Sequence, residues 1–463
     1  MSAYKLMQLL LAIPRCLADM MNHFWANGYY LRHTLTIMLF YRWQYLAVLS
    51  GLLWSSSIMA DSEDWFTSVA NQATMPYVAI QDDYTLITDL AADIKFEYGA
   101  RLTPVVRYFF HPGWPGQLAQ QVAILLEPEW HWQLDDCTLR SQLFGHYEPN
   151  DSSSNKLDIR ELLWTCFDDE QVWSVGIGKV FRGVNESQNL LDIVNQRDNL
   201  MWPSKDEKLG QPMFHYTHFA NNNSFEIYLL PYFRPLTFMD GKSRLRPSID
   251  ISLVNQFASS HGQRNLDWAG YWTRNWDNLE LSLGYFNGTR RMPILEPVVT
   301  TSGLLLQPYY PQIRQWGLMA QFIERGWIWK LEGIYQQGWR ENSDYWAFTG
   351  GFEYGWSYGF NLDYFLEYQY DQRSALDTVS QNDLFMGIRV NFNDIYNTEL
   401  IWTVLQDLEL KSQQRMSVKL SSKLYDATKA TLGLHTFRGT DKQSIDYFLA
   451  RDDFAEFKLE HYF

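Results

Sequence analysis

From about residue 100 to its end, this chain repeats one local pattern: roughly ten residues that alternate apolar and polar, then a turn rich in Asn, Asp and Gly. Leu384, Met386, Ile388, Val390 and Phe392 interleave with Phe385, Gly387, Arg389 and Asn391. Leu362, Tyr364, Leu366, Tyr368 and Tyr370 interleave with Asp363, Phe365, Glu367 and Gln369, and Trp327, Trp329, Leu331 and Tyr335 with Lys330, Glu332 and Gln336. Successive side chains of a strand point to opposite faces, so each run predicts a strand with one apolar and one polar face. A water-soluble sandwich alternates in the same way, so period alone does not place the chain in water or in a membrane.

Three further features favour a membrane barrel. A run of about ten residues suits a tilted strand crossing the hydrocarbon layer. The chain holds 20 Trp, 28 Tyr and 28 Phe, and these cluster at strand ends, where aromatic girdles of a barrel lie. The run Leu46 to Trp54 follows Arg42 and precedes Ile58-Met59-Ala60, the three-part plan of a secretory signal. The expectation is a signal peptide over residues 1–60, with Met38 as an alternative start, then a periplasmic segment over 61–99 and the barrel over 100–463. The apolar run is too short to be a membrane anchor. A mean hydropathy of -0.31 excludes a bundle of membrane-spanning helices.

The fold class expected is therefore all-β: a transmembrane antiparallel β-barrel of about 16 strands, with 14 to 18 defensible, and an inward or plug-like loop. A barrel of that size encloses water rather than a packed core. The loop is the least strand-like interior stretch, from Gly183 to Gln211, and it either projects outside or folds inward to narrow the bore. A second, from Thr289 to Gln312, carries Arg290 and Arg291 and is placed over the outer mouth.

Cys137 and Cys166 lie equidistant from the turn around Asn150–Asn155. A simple hairpin brings them opposite each other for a disulfide, whereas a one-residue slip turns them to different faces. Neither sits in a CxxC pair, and no HExxH set occurs, so no metal site is expected. Gly176-Ile177-Gly178 followed by Gly183 lacks the GxGxxG spacing, and there is no GxSxG elbow. The expectation is no enzyme and no cofactor. With 38 Lys+Arg against 53 Asp+Glu, the net charge of -15 also disfavours nucleic acid as a partner.

Strand parity puts Asp363, Glu367, Arg389, Lys419 and Lys423 on polar faces, hence on the bore. Acidic Asp363 and Glu367 on one wall and Lys419 and Lys423 on another would set a transverse field that sorts charged permeants.

The last strand, Phe454 to Phe463, alternates Ala455, Phe457, Leu459, His461 and Phe463 with Glu456, Lys458 and Glu460. A terminal strand ending in Phe463 resembles the assembly signal of Gram-negative outer-membrane barrels. That resemblance implies the outer membrane as location and its lipid and barrel-assembly machinery as partners. Around Gly178-Lys179, Asp192, Asn195 and Asp198, a Gly-ended strand before an Asp- and Asn-bearing loop, the chain resembles uncharacterised porin-like barrels near the alginate-export-like channels. The resemblance implies a constriction at Asp192, Asn195 and Asp198. The function expected is passive passage of small polar or charged solutes. The other reading is a non-conducting, loop-plugged barrel that serves as a structural or partner-binding component of an envelope export system.

Overall fold

Period-two segments carry polar groups that must pair with a neighbouring strand, and pairing each with the next in sequence leaves two unsatisfied edges. Closing the sheet removes both. In the computed structural model, which describes residues 95–463 apart from 114–115, 202–206, 240–241, 247–248, 302, 341–342, 375–376, 379–380 and 440–445, the chain takes this solution. The expected signal peptide, the alternative start at Met38 and the 61–94 part of the periplasmic segment lie outside the described residues.

The strands run β1 (Lys95–Phe109), β2 (Gln120–Leu134), β3 (Cys137–Tyr147), β4 (Lys156–Asp168), β5 (Gln171–Gly178), β6 (Gln211–Ala220), β7 (Asn223–Leu230), β8 (Gln256–Phe257), β9 (Asp267–Asn275), β10 (Leu279–Thr289) and β11 (Ile294–Thr300). They continue as β12 (Gly303–Tyr310), β13 (Gln312–Glu324), β14 (Trp327–Arg340), β15 (Ser343–Ser357), β16 (Asn361–Asp371), β17 (Asn382–Asn391), β18 (Glu399–Asp407), β19 (Gln414–Tyr425), β20 (Thr428–Arg438) and β21 (Phe454–Tyr462). Eighteen of them form one antiparallel sheet that closes where β1 pairs with β21, Val105 opposite Lys458. The other three, β8, β11 and β12, make a separate small sheet.

Eighteen strands stand at the upper end of the expected 14 to 18, two above the central figure of 16. β5 and β7 span only eight residues each, short of the run of about ten by which strands are recognised in the sequence. The first described strand, β1, starts at Lys95.

The two ends differ. One carries tight turns such as 135–136, 221–222 and 325–326, together with Lys95 and Phe463; Arg325 (φ 49°) and Gly326 (φ 84°) there give the left-handed pair that a two-residue hairpin turn requires. The connections 179–210, 231–266 and 290–311 all lie at the other end. Short turns at one rim and long loops at the other are the asymmetry of an outer-membrane barrel.

Faces separate by polarity. On β16, Tyr364 is exposed whereas Glu367 and Gln369, one residue out of phase, are each 1% exposed. Trp164, Trp173, Leu283, Trp316, Leu331 and Phe457 are likewise exposed on the outer surface, while Ser174, Ser282, Gln315, Glu332 and Thr349 are buried inside. A barrel this wide cannot fill its bore with wall side chains alone. Something else buries them.

Candidate functional site: a loop folded into the bore

That element is the 179–210 connection. After Gly178 the chain turns inward and meets wall residues from β4 round to β17, which only a path through the interior allows. Its buried N–H groups need acceptors, and the wall supplies carboxylates. Glu332 on β14, fully buried, accepts from the backbone N–H of Val184 at 2.8 Å, of Leu190 at 2.6 Å and of Leu191 at 3.2 Å, and from the Asn185 amide at 3.1 Å. Glu367 on β16 accepts from the N–H of Glu186 at 2.8 Å and of Ser187 at 2.9 Å, and from the Ser187 hydroxyl. Arg182 pairs with Glu226 on β7 at 2.7 Å.

Beyond the tip the loop also carries apolar side chains into the bore. Leu191, Ile193 and Val194 join the inward faces of Tyr271, Phe286, Ile313, Ile334 and Ala347 in one buried cluster. A Cβ on Gly317 would stand 2.8 Å from Leu191 Cγ, so the missing side chain there makes room for the leucine. Arg291, just past β10, clamps this segment by donating to the Ile193 carbonyl at 2.9 Å and pairing with Asp267 at 2.8 Å. Apolar side chains of β7 to β15 and of the loop thus fill this part of the bore.

The loop residues singled out from sequence brace its own limbs. Asp192 takes Lys208 Nζ at 2.5 Å and the Arg182 N–H at 3.3 Å. Asn195 accepts from the Val180 N–H at 2.8 Å and donates to the carbonyls of Gly178 at 2.8 Å and Leu209 at 2.9 Å. Asp198 contacts the buried Arg160 of β4 and lies 3.6 Å from Lys156 Nζ. Burial alone would raise the Asp198 carboxyl, but Arg160 and Lys156 more than offset it and hold it below its ordinary value. Glu186, Glu332, Arg160 and Lys208 are not among the site residues expected from the sequence. Glu332 looked like any polar-face residue, and no local signal marked it as an anchor.

The loop tip ends at a cluster of charge. Glu186 lies 3.1 Å from Arg389 on β17 and 3.6 Å from Lys330 on β14, and Lys330 lies 2.7 Å from Glu353 on β15. Arg389 is also 3.7 Å from Glu353 and 3.9 Å from Glu399 on β18, and Asp363 stands opposite it in the ladder. Four carboxylates thus surround two cations, besides Asp363 and Arg389 being part of the set expected on the bore. The side chains of Glu186, Arg389 and Glu399 keep 31%, 26% and 32% exposure although they face inward, so the bore admits water on this side.

Lys419 is exposed on the inward face of β19, opposite Ile401 and Gly433. Only β17 and β18 separate it from the acidic β16, so the two signs are neighbours along one arc of wall, not opposed across the bore. Lys423 sits beside the register shift near the short-turn end, opposite Lys429.

A second connection, 231–266, closes part of the long-loop mouth. Its Met239 and Leu245 pack with Phe109, Phe437 and Phe454 of β1, β20 and β21. Arg244, with no exposed surface, pairs with Asp452 at 2.9 Å and donates to the His111 carbonyl at 2.9 Å. The 290–311 connection forms the β11–β12 hairpin, which takes β8 of the 231–266 connection as a parallel neighbour. At the opposite end Cys137 and Cys166 are direct ladder partners with their sulfurs bonded, and Cα atoms 4.0 Å apart.

No family model matches the chain, and no curated protein matches it. Solved structures with a similar course include a loop-deletion mutant of OmpT, an outer membrane protein of Vibrio cholerae, at 8% identity and TM-score 0.42 over 80% of this chain and 99% of that one. A double mutant of the Rhodopseudomonas blastica porin follows at 10% identity and TM-score 0.41, over 80% of this chain and 100% of that one. Likeness at this level carries no argument about function, which rests on the chain's own geometry.

Proposed function

We propose that the protein is an outer-membrane channel of a Gram-negative bacterium, through which small polar or charged solutes pass by diffusion along a bore narrowed by the 179–210 loop. The observation that carries this reading is the water-accessible charge beside the loop tip: Glu186, Arg389 and Glu399 face inward yet stay partly exposed. The apolar outer surface supports a lipid environment, and the long-loop and short-turn rims support the orientation usual for such barrels. Glu186, Glu353, Asp363 and Glu399 outnumber Lys330 and Arg389, so cations are favoured over anions. The reading includes no cofactor and no chemistry of the protein's own. Kinship with alginate-export-like channels belongs to the proposal too, supported by the Gly178-ended strand before the Asp- and Asn-bearing loop.

The second reading, a plugged barrel serving a partner in the envelope, draws on the apolar cluster around Leu191 and the anchoring of the loop by Glu332 and Glu367. Planar-bilayer recording separates the two. Discrete, cation-selective conductance steps support the channel; a barrel that inserts but stays silent at every potential supports the plug.

A further inference from the structure

On the part-hydrated side of the bore, exposure fades toward the long-loop mouth. Along the inward face of β1, side-chain exposure falls from 31% at Arg101 to 11% at Arg107, and Phe109 beyond them is buried. β21 repeats the trend, from part-exposed Glu460 and Lys458 to buried Glu456 and Phe454. The path ends at Phe109, Phe437 and Phe454, where the rings of Phe109 and Phe454 stand 5.2 Å apart under Met239 and Leu245 of the 231–266 connection. Next to Arg107 lies a cavity of about 30 Å³, lined also by Gln121, Glu148 and Lys458, with Met239 and Ser243 of the same connection completing it. Gln121 Oε1 and Glu148 Oε1 find no partner among the described residues, and buried acceptors in a polar cavity are met by water. A hydrated bore thus stops against one apolar layer.

One side chain holds the cap in place. Arg244, with no exposed surface, pairs with Asp452 at 2.9 Å, donates to the carbonyls of His111 and Arg451, each at 2.9 Å, and lies 4.5 Å from the Phe109 ring centre. A Cβ on Gly113 would stand 2.8 Å from Arg244 Nε, so that glycine leaves the guanidinium its place. These polar partners belong to the connections at 110–119 and 439–453, not to strands. A buried ion pair adds little over apolar packing of the same volume, yet it is costly to break by removing one partner. Such a contact favours two distinct arrangements, closed with the pair made and open with both charges in water. The inward loop is held differently, by wall carboxylates and a large apolar cluster. On β16 and β18 the inward groups at the same end, Asp371 and Asp407, cap their own short connections by accepting the N–H groups of Arg373 and of Glu409 and Leu410. The closure that a long connection makes over the hydrated side is the one at Phe109.

We propose that Phe109, Phe437 and Phe454, capped by Leu245 and latched by Arg244, form the gate of the channel, which conducts when the 242–246 stretch lifts from the three rings. The inference rests on the channel reading above and adds its regulated step. Shut, the rings exclude water over one layer; uncapped, they leave an opening that wets. The test records the purified protein in planar bilayers beside Arg244→Gln, which removes the latch charge, and Leu245→Ser, which wets the cap without touching the ion pair and serves alone should Arg244→Gln fail to insert. Hydrogen exchange at residues 242–246 is followed in the same preparations. Open probability rises by about tenfold in both variants, at unchanged step size and ion selectivity, and exchange at 242–246 speeds up in Arg244→Gln. Open probability unchanged in both, a change of step size or selectivity in its place, or unchanged exchange in Arg244→Gln overturns the gate and leaves the channel. Silence of all three proteins despite insertion, with faster exchange in Arg244→Gln, strikes the channel reading, and the gate falls with it.

Discussion

The carboxylate of Glu332, on the wall, accepts the backbone N–H of Leu190, in the loop, at 2.6 Å, although the two are 142 positions apart in the chain. The same carboxylate also takes N–H groups of Val184 and Leu191, so one side chain fixes the turn that sends the apolar segment into the bore. Glu332→Ala leaves several buried donors without an acceptor, at a cost of about 3–5 kcal/mol. The expected outcome is loss of amide-exchange protection at residues 184–191 while the wall strands keep theirs. Unchanged protection would mean that the apolar contacts alone hold the loop.

Charge at the loop tip predicts selectivity. Removing two of the four carboxylates with Glu186→Gln and Asp363→Asn makes the carboxylates equal in number to Lys330 and Arg389. Reversal potentials in a salt gradient move from cation-selective toward neutral, by several-fold in the permeability ratio. Lys419→Glu, at an exposed inward site along the same arc, moves the potential the opposite way.

Near the long-loop rim, burial pushes the Glu148 carboxyl up to about 7, and the neighbouring Asp151 adds to the rise. The unfolded chain has the ordinary value near 4.5, so between those two values the folded state holds more protons than the unfolded one, and stability falls as pH rises through that window. The effect is on the order of 2–3 kcal/mol. Thermal unfolding followed between pH 4 and pH 8 shows a smaller decline in Glu148→Gln than in the parent protein.

The sulfur bridge of Cys137 and Cys166 closes a separation of 29 residues at the short-turn rim and joins β3 to β4, strands that carry none of the charges at the loop tip. Replacing both by Ser removes about 2–4 kcal/mol by the loop-entropy argument. Unfolding temperature falls, and reversal potential stays unchanged, because none of the charges at the loop tip depends on it.

Legibility in the sequence followed the range of the interactions. The facing of β16 and β17 could be read directly, since Glu367 and Tyr364 differ in parity and the period is local. The ladder position of the two cysteines also could be read, because the turn between them is centred on their midpoint. Whether the bulge at Gln142 and Leu143 kept them in register could not. The strand number was legible only to within two, since β5 and β7, at eight residues, are shorter than the usual run. The direction of the inward loop was beyond local reading. It depends on Glu332 and Glu367, which carry no mark distinguishing them from other polar-face residues and find their donors across 141 to 181 positions. Asp192, Asn195 and Asp198, for which the resemblance implies a constriction, contact Lys208, Gly178 and Arg160, partners that no local pattern pairs with them.

The central claim is that the loop from Gly178 to Gln211 narrows an aqueous bore whose apolar outside faces lipid. Single-channel conductance of the parent barrel, compared in the same bilayer with a variant in which residues 183–208 are replaced by a short Gly-Ser link, tests it most directly. The account predicts small discrete steps in the parent and steps several-fold larger in the variant. Equal conductance in both, or silence in both despite insertion, would contradict it.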